Sequence, residues 1–372
     1  MKTPKIFHRF LLAVCFAASF SAVAQVTNLG ISAAGKQSVL YWPATNANYI
    51  LQSTTNLASP NWATANDALA VAAITVTNGL PQRFFRLLYT SPPSGMALIP
   101  AGSFTMGNSI AADTDITDAN PINIYVSAFY MDTNLVSSNQ WAQVYSYAQS
   151  QGYTFVNGGY GKATNYPVQG LDWYDCVKWC NARSQQAGLT PVYYADAGLT
   201  QVYKTGEAIP YPNWTANGYR LPTEAEWEKA ARGGLVGLRF PWGNKISGYQ
   251  ANYFGNTNAY NYDLGPNGFN SFASTSGTTP LGKFDANGYG LYDMAGNLFQ
   301  WCWDWYGTPY GQPTTSNPTG LTAGDLNTER VARGGHFSVS SSLARCACRT
   351  PLGPNWTGTI LTRCGLRCVR GI

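Results

Sequence analysis

The stretch GYRLPTEAEWEKAARGG, from Gly218 to Gly234, carries both a start signal and a stop signal for a helix. Thr223 and Glu226 have the spacing of a capping box, in which two side chains satisfy free N–H groups of the first turn. Gly233 is typical of the residue that ends a helix, because glycine adopts the left-handed backbone without strain. The apolar residues between these signals share one face and are Trp227, Ala230 and Ala231. The stretch therefore predicts a short helix with a buried face.

Two more helices are expected upstream. Ser137 and Gln140 form a second capping box, and Gly152 ends that helix. Asp172 is a typical N-cap for the other. The apolar faces of these helices consist of Trp141, Val144, Tyr145 and Ala148 in one, and of Trp173, Cys176, Val177 and Cys180 in the other. From the last helix to Ile372 the sequence is typical of short strands and turns, so the domain is expected to be α+β.

The sequence also predicts a division of the chain. Residues 25–90 contain short alternating apolar runs separated by Asn, Gly, Pro and Ser, which predicts a small all-β, fibronectin-like module. The segment SPPSG at 91–95 is typical of a linker, and residues 96–372 form the larger domain. The chain has 372 residues, of which 45% are hydrophobic and 11% are charged. This composition suits a sizeable core and argues against disorder.

Residues 1–24 have the three parts of a secretory signal peptide. The basic part contains Lys2, Lys5 and Arg9, an apolar run follows, and Ala22-Val23-Ala24 is the expected cleavage site. The apolar run is too short to span a bilayer, although an uncleaved anchor is the alternative interpretation. Removal of the three cations lowers the net charge from +5 to +2. We therefore expect a secreted or periplasmic protein with no membrane span and no nucleic-acid partner.

Seven blocks stand out in order along the larger domain. They are MALIPAGSFTMGNS (Met96–Ser109), YPVQGLDWYDCVKWCNA (Tyr166–Ala182), GYRLPTEAEWEKAARGG (Gly218–Gly234), FPWGN (Phe240–Asn244), NGYGLYDMAGNLFQW (Asn287–Trp301), RVARGGHF (Arg330–Phe337) and GLRCVR (Gly365–Arg370). In this order they resemble the sulfatase-modifying factor family, whose best-known member is the formylglycine-generating enzyme. The resemblance implies a fold like that of C-type lectins, poor in regular secondary structure.

The resemblance also implies an activity that the residues do not match. Formylglycine-generating enzymes oxidise a substrate cysteine with oxygen and a copper ion held by two cysteines that follow the Arg-Gly-Gly block. Thiolates suit cuprous copper, but Val339, Ser340 and Ser341 stand where that pair is expected. Cys346 and Cys348 are a conceivable substitute, yet a spacing of two on a strand places them about 6.5 to 7 Å apart on one face. Copper is therefore not expected.

The other cysteines are expected to form disulfides. The resemblance implies a bridge between Cys180 and Cys368. Cys364 is then free to pair with Cys176, or with Cys346 or Cys348, and the sequence does not choose between these. An oxidising compartment would permit such bridges.

A single histidine remains after removal of the signal peptide. This residue, His336, excludes metal centres built on several histidines from one chain. It stands where the family usually has a serine, so an acid–base role and a hydrogen-bonded structural role are both open. A serine–histidine arrangement with Ser338, Ser340 or Ser341 has no supporting motif. The candidate catalytic residues are therefore His336, Ser341, Cys346 and Cys348.

Calcium is the candidate metal. The resemblance implies one site at Asn252 and Tyr253, and a second in the motif that here reads Gly296-Asn-Leu298-Phe-Gln300. Gln300 replaces the usual glutamate and so keeps an oxygen while losing the charge, which predicts a weaker or empty second site.

The expected function is binding of a peptide, protein or glycan. A groove between the Arg-Gly-Gly loop and an aromatic run would hold the ligand, and its residues are Trp301, Trp303, Trp305 and Arg349. Core packing of these tryptophans is the alternative. Two other functions are open: an active oxidoreductase that modifies an exported protein such as a sulfatase, and an interaction component attached through the amino-terminal module.

Overall fold

A computed structural model describes residues 30–34, 37–41, 49–55, 63–64, 73–77, 84–89, 92–273, 277–307, 314–321, 328–355 and 363–372. The chain divides into two compact units. One contains residues 1–91 together with 100–102, and the other contains 92–99 and 103–372. The predicted signal peptide, 1–24, lies outside the described residues.

The first unit is built from strands in its described residues. They are β1 (Gly30–Ala34), β2 (Gln37–Tyr41), β3 (Tyr49–Thr54), β4 (Ala63–Thr64), β5 (Ala73–Thr77) and β6 (Phe84–Tyr89). Two antiparallel three-stranded sheets result, with the orders β1–β2–β5 and β4–β3–β6.

Three α-helices lie in the larger unit, and all three begin at the expected caps. They are α1 (Ser138–Ser150), α2 (Trp173–Gln186) and α3 (Glu224–Arg232). The side chains of Ser137 and Asp172 each accept an N–H bond from the third residue after them. At α3 the complete capping box forms between Thr223 and Glu226, and Gly233 ends the helix with φ of 57°.

The strands of the larger unit are short. They are β7 (Met96–Ile99), β8 (Gly102–Met106), β9 (Ile122–Val126), β10 (Phe129–Asp132), β11 (Tyr193–Tyr194), β12 (Tyr211–Pro212), β13 (Phe299–Trp305), β14 (Arg330–Arg333), β15 (Arg349–Leu352), β16 (Cys364–Gly365) and β17 (Val369–Gly371). One sheet has the order β17–β10–β7, and another has the order β15–β14–β13–β16, in which β13 and β16 are parallel. Two-stranded sheets join β8 to β9 and β11 to β12.

Helix α3 is buried at every residue. Its apolar side chains pack into a core with Ile99, Met106, Ile124, Phe129, Cys302, Val331 and Val369, which come from seven strands. The remaining positions of α3 are charged, so their burial requires partners close by. Among the described residues, no helix has the length and apolar character needed to cross a membrane.

Candidate functional site

Two carboxylates of α3 organise the region around the expected site. Glu224 and Glu228 are one turn apart and are fully buried. Both oxygens of Glu224 accept bonds from Arg349, at 2.7 and 3.0 Å. Glu228 pairs with Arg232 at 2.7 Å and with Arg333. Burial alone would raise the pKa of Glu228, but the two guanidinium groups hold it below its ordinary value. The network was not recognised in the sequence, although the spacing of the two glutamates was visible there.

Arg333 also fixes both ends of the loop that carries the candidate catalytic residues. This segment, the 334–348 loop, begins directly after Arg333. The Nη1 atom of Arg333 donates to the carbonyl oxygens of Cys346 and Cys348, at 2.9 and 2.6 Å. Because the same guanidinium is paired with Glu228, the loop is held on α3 by buried charge-assisted bonds.

His336 lies in this loop with only 3% of its surface exposed. Its ring packs edge-on against Phe299, with centroids 4.9 Å apart. Its Nδ1 atom accepts the backbone N–H of Ser338 at 3.1 Å, which assigns the ring proton to Nε2. Burial, with a contribution from Arg363, lowers the pKa of His336 to about 3. The imidazole is therefore neutral at ordinary pH, an environment that favours the structural role.

Serine hydroxyls occupy the middle of the 334–348 loop. The Oγ atoms of Ser340 and Ser342 are 2.7 Å apart. The Oγ atom of Ser338 lies 3.2 Å from Nδ1 of His336. The Oγ atom of Ser341 is buried and has no hydrogen-bond partner in the part of the chain that the structure describes. Ser341 and Ser342 lie in a short 3₁₀ turn at Ser341–Ala344, and Ser340 directly precedes it. The stretch from 336 to 344 contains no thiol.

Cys346 and Cys348 do not lie on a strand as expected. They occupy the turn before β15, which begins at Arg349. Cys346 packs into the α3 core, whereas Cys348 packs into a separate cluster with Ile116 and Ala119. The expectation of a shared strand face is wrong, because a turn changes side-chain direction between the two residues. Burial raises the pKa of each thiol to about 11, so neither is a ready thiolate.

The expected groove is not open at its predicted residues. Trp301, Trp303, Trp305 and Arg349 have exposed fractions of 1, 8, 8 and 5%. The reason is the position of β13 between β14 and β16, with α2 packed against it. Trp301 donates its indole N–H to the carbonyl of Leu171, and Trp303 stacks on Tyr193. The guanidinium of Arg349 forms a buried salt bridge with Glu224. Core packing thus accounts for the aromatic run.

A buried cation adds to this packing. The guanidinium carbon of Arg330 lies 3.7 Å from the ring centroid of Trp173 and 3.5 Å from that of Trp305. Its Nη1 atom donates to the carbonyl of Trp303 at 2.6 Å. Burial lowers the pKa of Arg330 to about 9. The faces of the two indole rings stabilise the buried cation by cation–π interaction, a role that a carboxylate more often has beside a buried arginine.

Four of the predicted disulfide residues come together between α2 and the carboxy-terminal segment. Cys180 and Cys368 face each other with their Sγ atoms 3.5 Å apart. Cys176 lies one turn earlier on α2, and Cys364 lies in β16. All four are buried, with at most 1% exposed. The contact agrees with the pairing that the resemblance implied, and the bridge itself stays a prediction.

The two expected calcium sites differ in their fit. Among the described residues, the buried Oδ1 atom of Asn252 has no hydrogen-bond partner. In contrast, the Oε1 atom of Gln300 accepts bonds from Trp227 at 2.9 Å and Arg367 at 3.1 Å. Gly296 pairs with Asn252 in a bridge, and Leu298 is fully buried. The first predicted site thus offers one side-chain oxygen to a cation, whereas at the second the side-chain oxygen is already occupied beside a guanidinium, which does not suit calcium.

No carboxylate, thiol or imidazole cluster supplies another metal site in the part of the chain that the structure describes: three such side chains nowhere converge. Tyr253 directs its hydroxyl to Asp263 at 2.6 Å, so only its backbone is available to a cation.

An exposed aromatic surface, missed in the sequence, lies beside the 334–348 loop. We define it as Tyr249, Phe254, Phe269 and Phe272. The backbone N–H of Phe254 donates to the carbonyl oxygen of Val339 at 2.9 Å. This bond holds the aromatic surface next to the 334–348 loop. Phe254 packs edge-on against Phe269 at 5.0 Å, and Tyr249 packs against Phe272 at 5.8 Å.

These rings lie on two loops, around residues 248–254 and 268–273, that are hydrogen-bonded to each other. The amide of Asn270 donates to the carbonyls of Gly248 and Ala251, at 2.7 and 2.8 Å. Tyr249, Phe269 and Phe272 are 76, 45 and 40% exposed. A contiguous exposed apolar patch is a candidate interaction site. The sequence signal was only a scatter of aromatic residues among Asn and Gly, which does not distinguish exposed rings from buried ones.

The comparison with protein families decides the identity of the larger unit. The protein-family model described as sulfatase-modifying factor enzyme 1-like domain matches residues 86–372. The chain belongs to the sulfatase-modifying factor family. Formylglycine-generating enzyme from Bos taurus is 31% identical over 295 residues, which cover 75% of this chain and 75% of the relative. Chaperone protein LppX from Paenibacillus barcinonensis is 31% identical over 269 residues, covering 68% and 86%.

Comparison with solved structures supports the same fold. Treponema denticola variable protein 1 superposes with a TM-score of 0.57 at 25% identity, covering 74% of this chain and 95% of the other. The predicted fold class, an α+β sulfatase-modifying factor fold poor in regular secondary structure, is confirmed.

Proposed function

We propose that this family member is exported, does not carry out copper-dependent cysteine oxidation, and binds a peptide segment of another protein. The expectation of export comes from the signal-peptide pattern of residues 1–24. The lack of copper-dependent oxidation is supported by the donor set of the 334–348 loop. Hydroxyls and an imidazole stand where a pair of thiols would be needed, and soft cuprous copper prefers sulfur ligands.

The remaining thiols of the loop do not replace that pair. Cys346 and Cys348 point into different apolar clusters, and burial raises their pKa values to about 11. A cuprous site built from two cysteines requires two deprotonated sulfurs facing one ion. The residues present therefore do not fit copper, and no oxidative step follows from them.

The aromatic surface supports the binding role. The backbone of Phe254 pairs with Val339 and Ser340 of the 334–348 loop, so exposed rings and loop main chain lie side by side, a combination that suits an extended peptide with apolar side chains. The relative named as a chaperone supports a polypeptide ligand over a glycan. Calcium at Asn252 would brace the same loop pair, since Asn252 and Phe254 are neighbours in sequence.

The binding proposal is tested with an immobilised peptide library and a glycan array, probed with the full chain carrying calcium. We expect peptide ligands whose binding falls at least about tenfold in Phe269→Ala, as truncation of a central aromatic anchor usually costs more than 1.4 kcal/mol. Tyr211→Ala is the matched control, because Tyr211 is 48% exposed on β12. Glycan binding without peptide binding, or equal losses in both variants, would contradict the proposal.

The alternative is an oxidoreductase that modifies an exported protein such as a sulfatase. It is favoured by the 31% identity to formylglycine-generating enzyme from Bos taurus. In this alternative Cys346, Cys348 or His336 would act in altered roles. The low pKa of His336, about 3, makes it a weak base in this role.

A further inference from the structure

The cysteines of α2 and of the carboxy-terminal segment are arranged as two neighbouring pairs. Cys176 and Cys180 are separated by one helical turn and lie on one face of α2. Cys364 and Cys368 have the same sequence spacing in the segment that leads from β16 to β17. Cys180 and Cys368 are already in contact at 3.5 Å.

Buried contacts hold the two segments together at the Cys180 end. Asp132 accepts two bonds from Arg183 of α2, at 2.6 and 2.9 Å. The same carboxylate accepts the backbone N–H of Cys368 at 3.1 Å. The helix and the residue after Arg367 are therefore joined through one side chain.

Other contacts hold them at the Cys176 end. The start of α2 is fixed on β13, because Trp173 donates to the carbonyl of Cys302 at 2.8 Å and Trp301 donates to the carbonyl of Leu171. Strand β16 lies directly beside β13, with Cys364 opposite Phe299. Helix α2 and β16 thus both pack on β13, which places Cys176 and Cys364 on neighbouring elements of the core.

Electrostatics agree with this placement. Burial raises the pKa of Cys176 well above its ordinary value, and Asp172, Asp175, Cys368 and Cys364 each raise it further. The three other thiols of the larger unit lie elsewhere, since Cys302 and Cys346 belong to the α3 core and Cys348 packs with Ile116.

We propose that this chain carries a second crosslink, Cys176–Cys364, next to the Cys180–Cys368 contact. Each crosslink forms when two thiols lose two protons and two electrons to a disulfide oxidant, such as oxidised glutathione, which is reduced to two thiols. The result is a two-rung connection between α2 and the carboxy-terminal segment, with Cys302, Cys346 and Cys348 left as thiols. This inference does not depend on the proposed binding function.

The test is a disulfide map of the full chain produced in an oxidising compartment. Thiols are blocked with N-ethylmaleimide after denaturation, and the protein is then cut with trypsin without reduction. Cleavage after Lys178, Arg363 and Arg367 places all four cysteines on separate peptides. The expected linked pairs are the peptide ending at Lys178 with Cys364-Gly-Leu-Arg367, and the peptide beginning at Trp179 with Cys368-Val-Arg370.

Every other outcome overturns the proposal. Blocked thiols at Cys176 and Cys364, or the crossed pairing of Cys176 with Cys368, would each do so. A variant series gives an independent reading: Cys176→Ala should leave Cys364 blocked by maleimide while Cys180–Cys368 persists. Cys302→Ala is the matched control for loss of a buried thiol and should leave both links intact.

Discussion

Strand β13 and the aromatic surface are both rich in large rings, yet they have opposite environments. Trp301, Trp303 and Trp305 are almost fully buried, whereas Tyr249 and Phe269 are largely exposed. Strand β13 has hydrogen-bonded neighbours on both sides and a helix against it. The aromatic surface lies on loops held by an asparagine amide. Exposure is therefore decided by long-range pairing, and aromatic content alone does not reveal it.

The largest expected effect is on the buried side of this comparison. Trp301→Ala should lower the free energy of unfolding by about 4 kcal/mol, because the cavity is lined by strand and helix atoms that cannot collapse. Tyr249→Ala, on the exposed side, should change it by less than about 0.5 kcal/mol. Urea unfolding of both variants measures the difference, and similar losses would remove the distinction between the two regions.

The next effect concerns the charges that hold the 334–348 loop on α3. Arg333→Met should cost about 3 kcal/mol, because it leaves the buried carboxylate of Glu228 with one cation fewer. Arg363→Met is the control, since Arg363 is only partly buried at the rim of the same region. Thermal unfolding reports the loss. An Arg333 variant as stable as the Arg363 variant would show that the network does not anchor the loop.

The prediction of the fold succeeded where signals are local. The capping residues Ser137, Asp172 and Thr223 gave the starts of all three helices, because a cap acts within one turn. The turn at Cys346 and Cys348 was missed, because it depends on bonds to Arg333, which lies 13 and 15 residues earlier and therefore outside any local sequence pattern. The groove was misplaced for a similar reason: β16 pairs with β13 across more than sixty residues.

A pH-dependent effect is expected from His336. Its folded pKa, about 3, lies below the unfolded value near 6.5, so protonation favours the unfolded chain as the pH falls below 6.5. The contribution between pH 7 and pH 5 should be on the order of 2 kcal/mol. Unfolding of the wild type and of His336→Gln over this range isolates it. If the free energy of unfolding changed with pH to the same extent in both proteins, His336 would not be a buried neutral imidazole.

A smaller effect is expected at the cap of α3. Thr223→Ala removes the side-chain acceptor for the N–H of Glu226 and should cost about 1 kcal/mol. Thr223→Ser keeps the hydroxyl and should lose less than half of that. Equal stability of the two variants would show that packing, not the capping box, fixes the start of this helix.

The absence of a thiol pair from residues 336–344 is tested most directly by a cuprous copper titration of the folded protein, isolated from an oxidising compartment without disulfide reduction, followed by incubation with oxygen and a cysteine-containing sulfatase peptide. We predict no stoichiometric copper binding in competition with a cuprous chelator, and no aldehyde on the peptide by mass spectrometry. One copper ion bound per chain together with aldehyde formation would contradict the account.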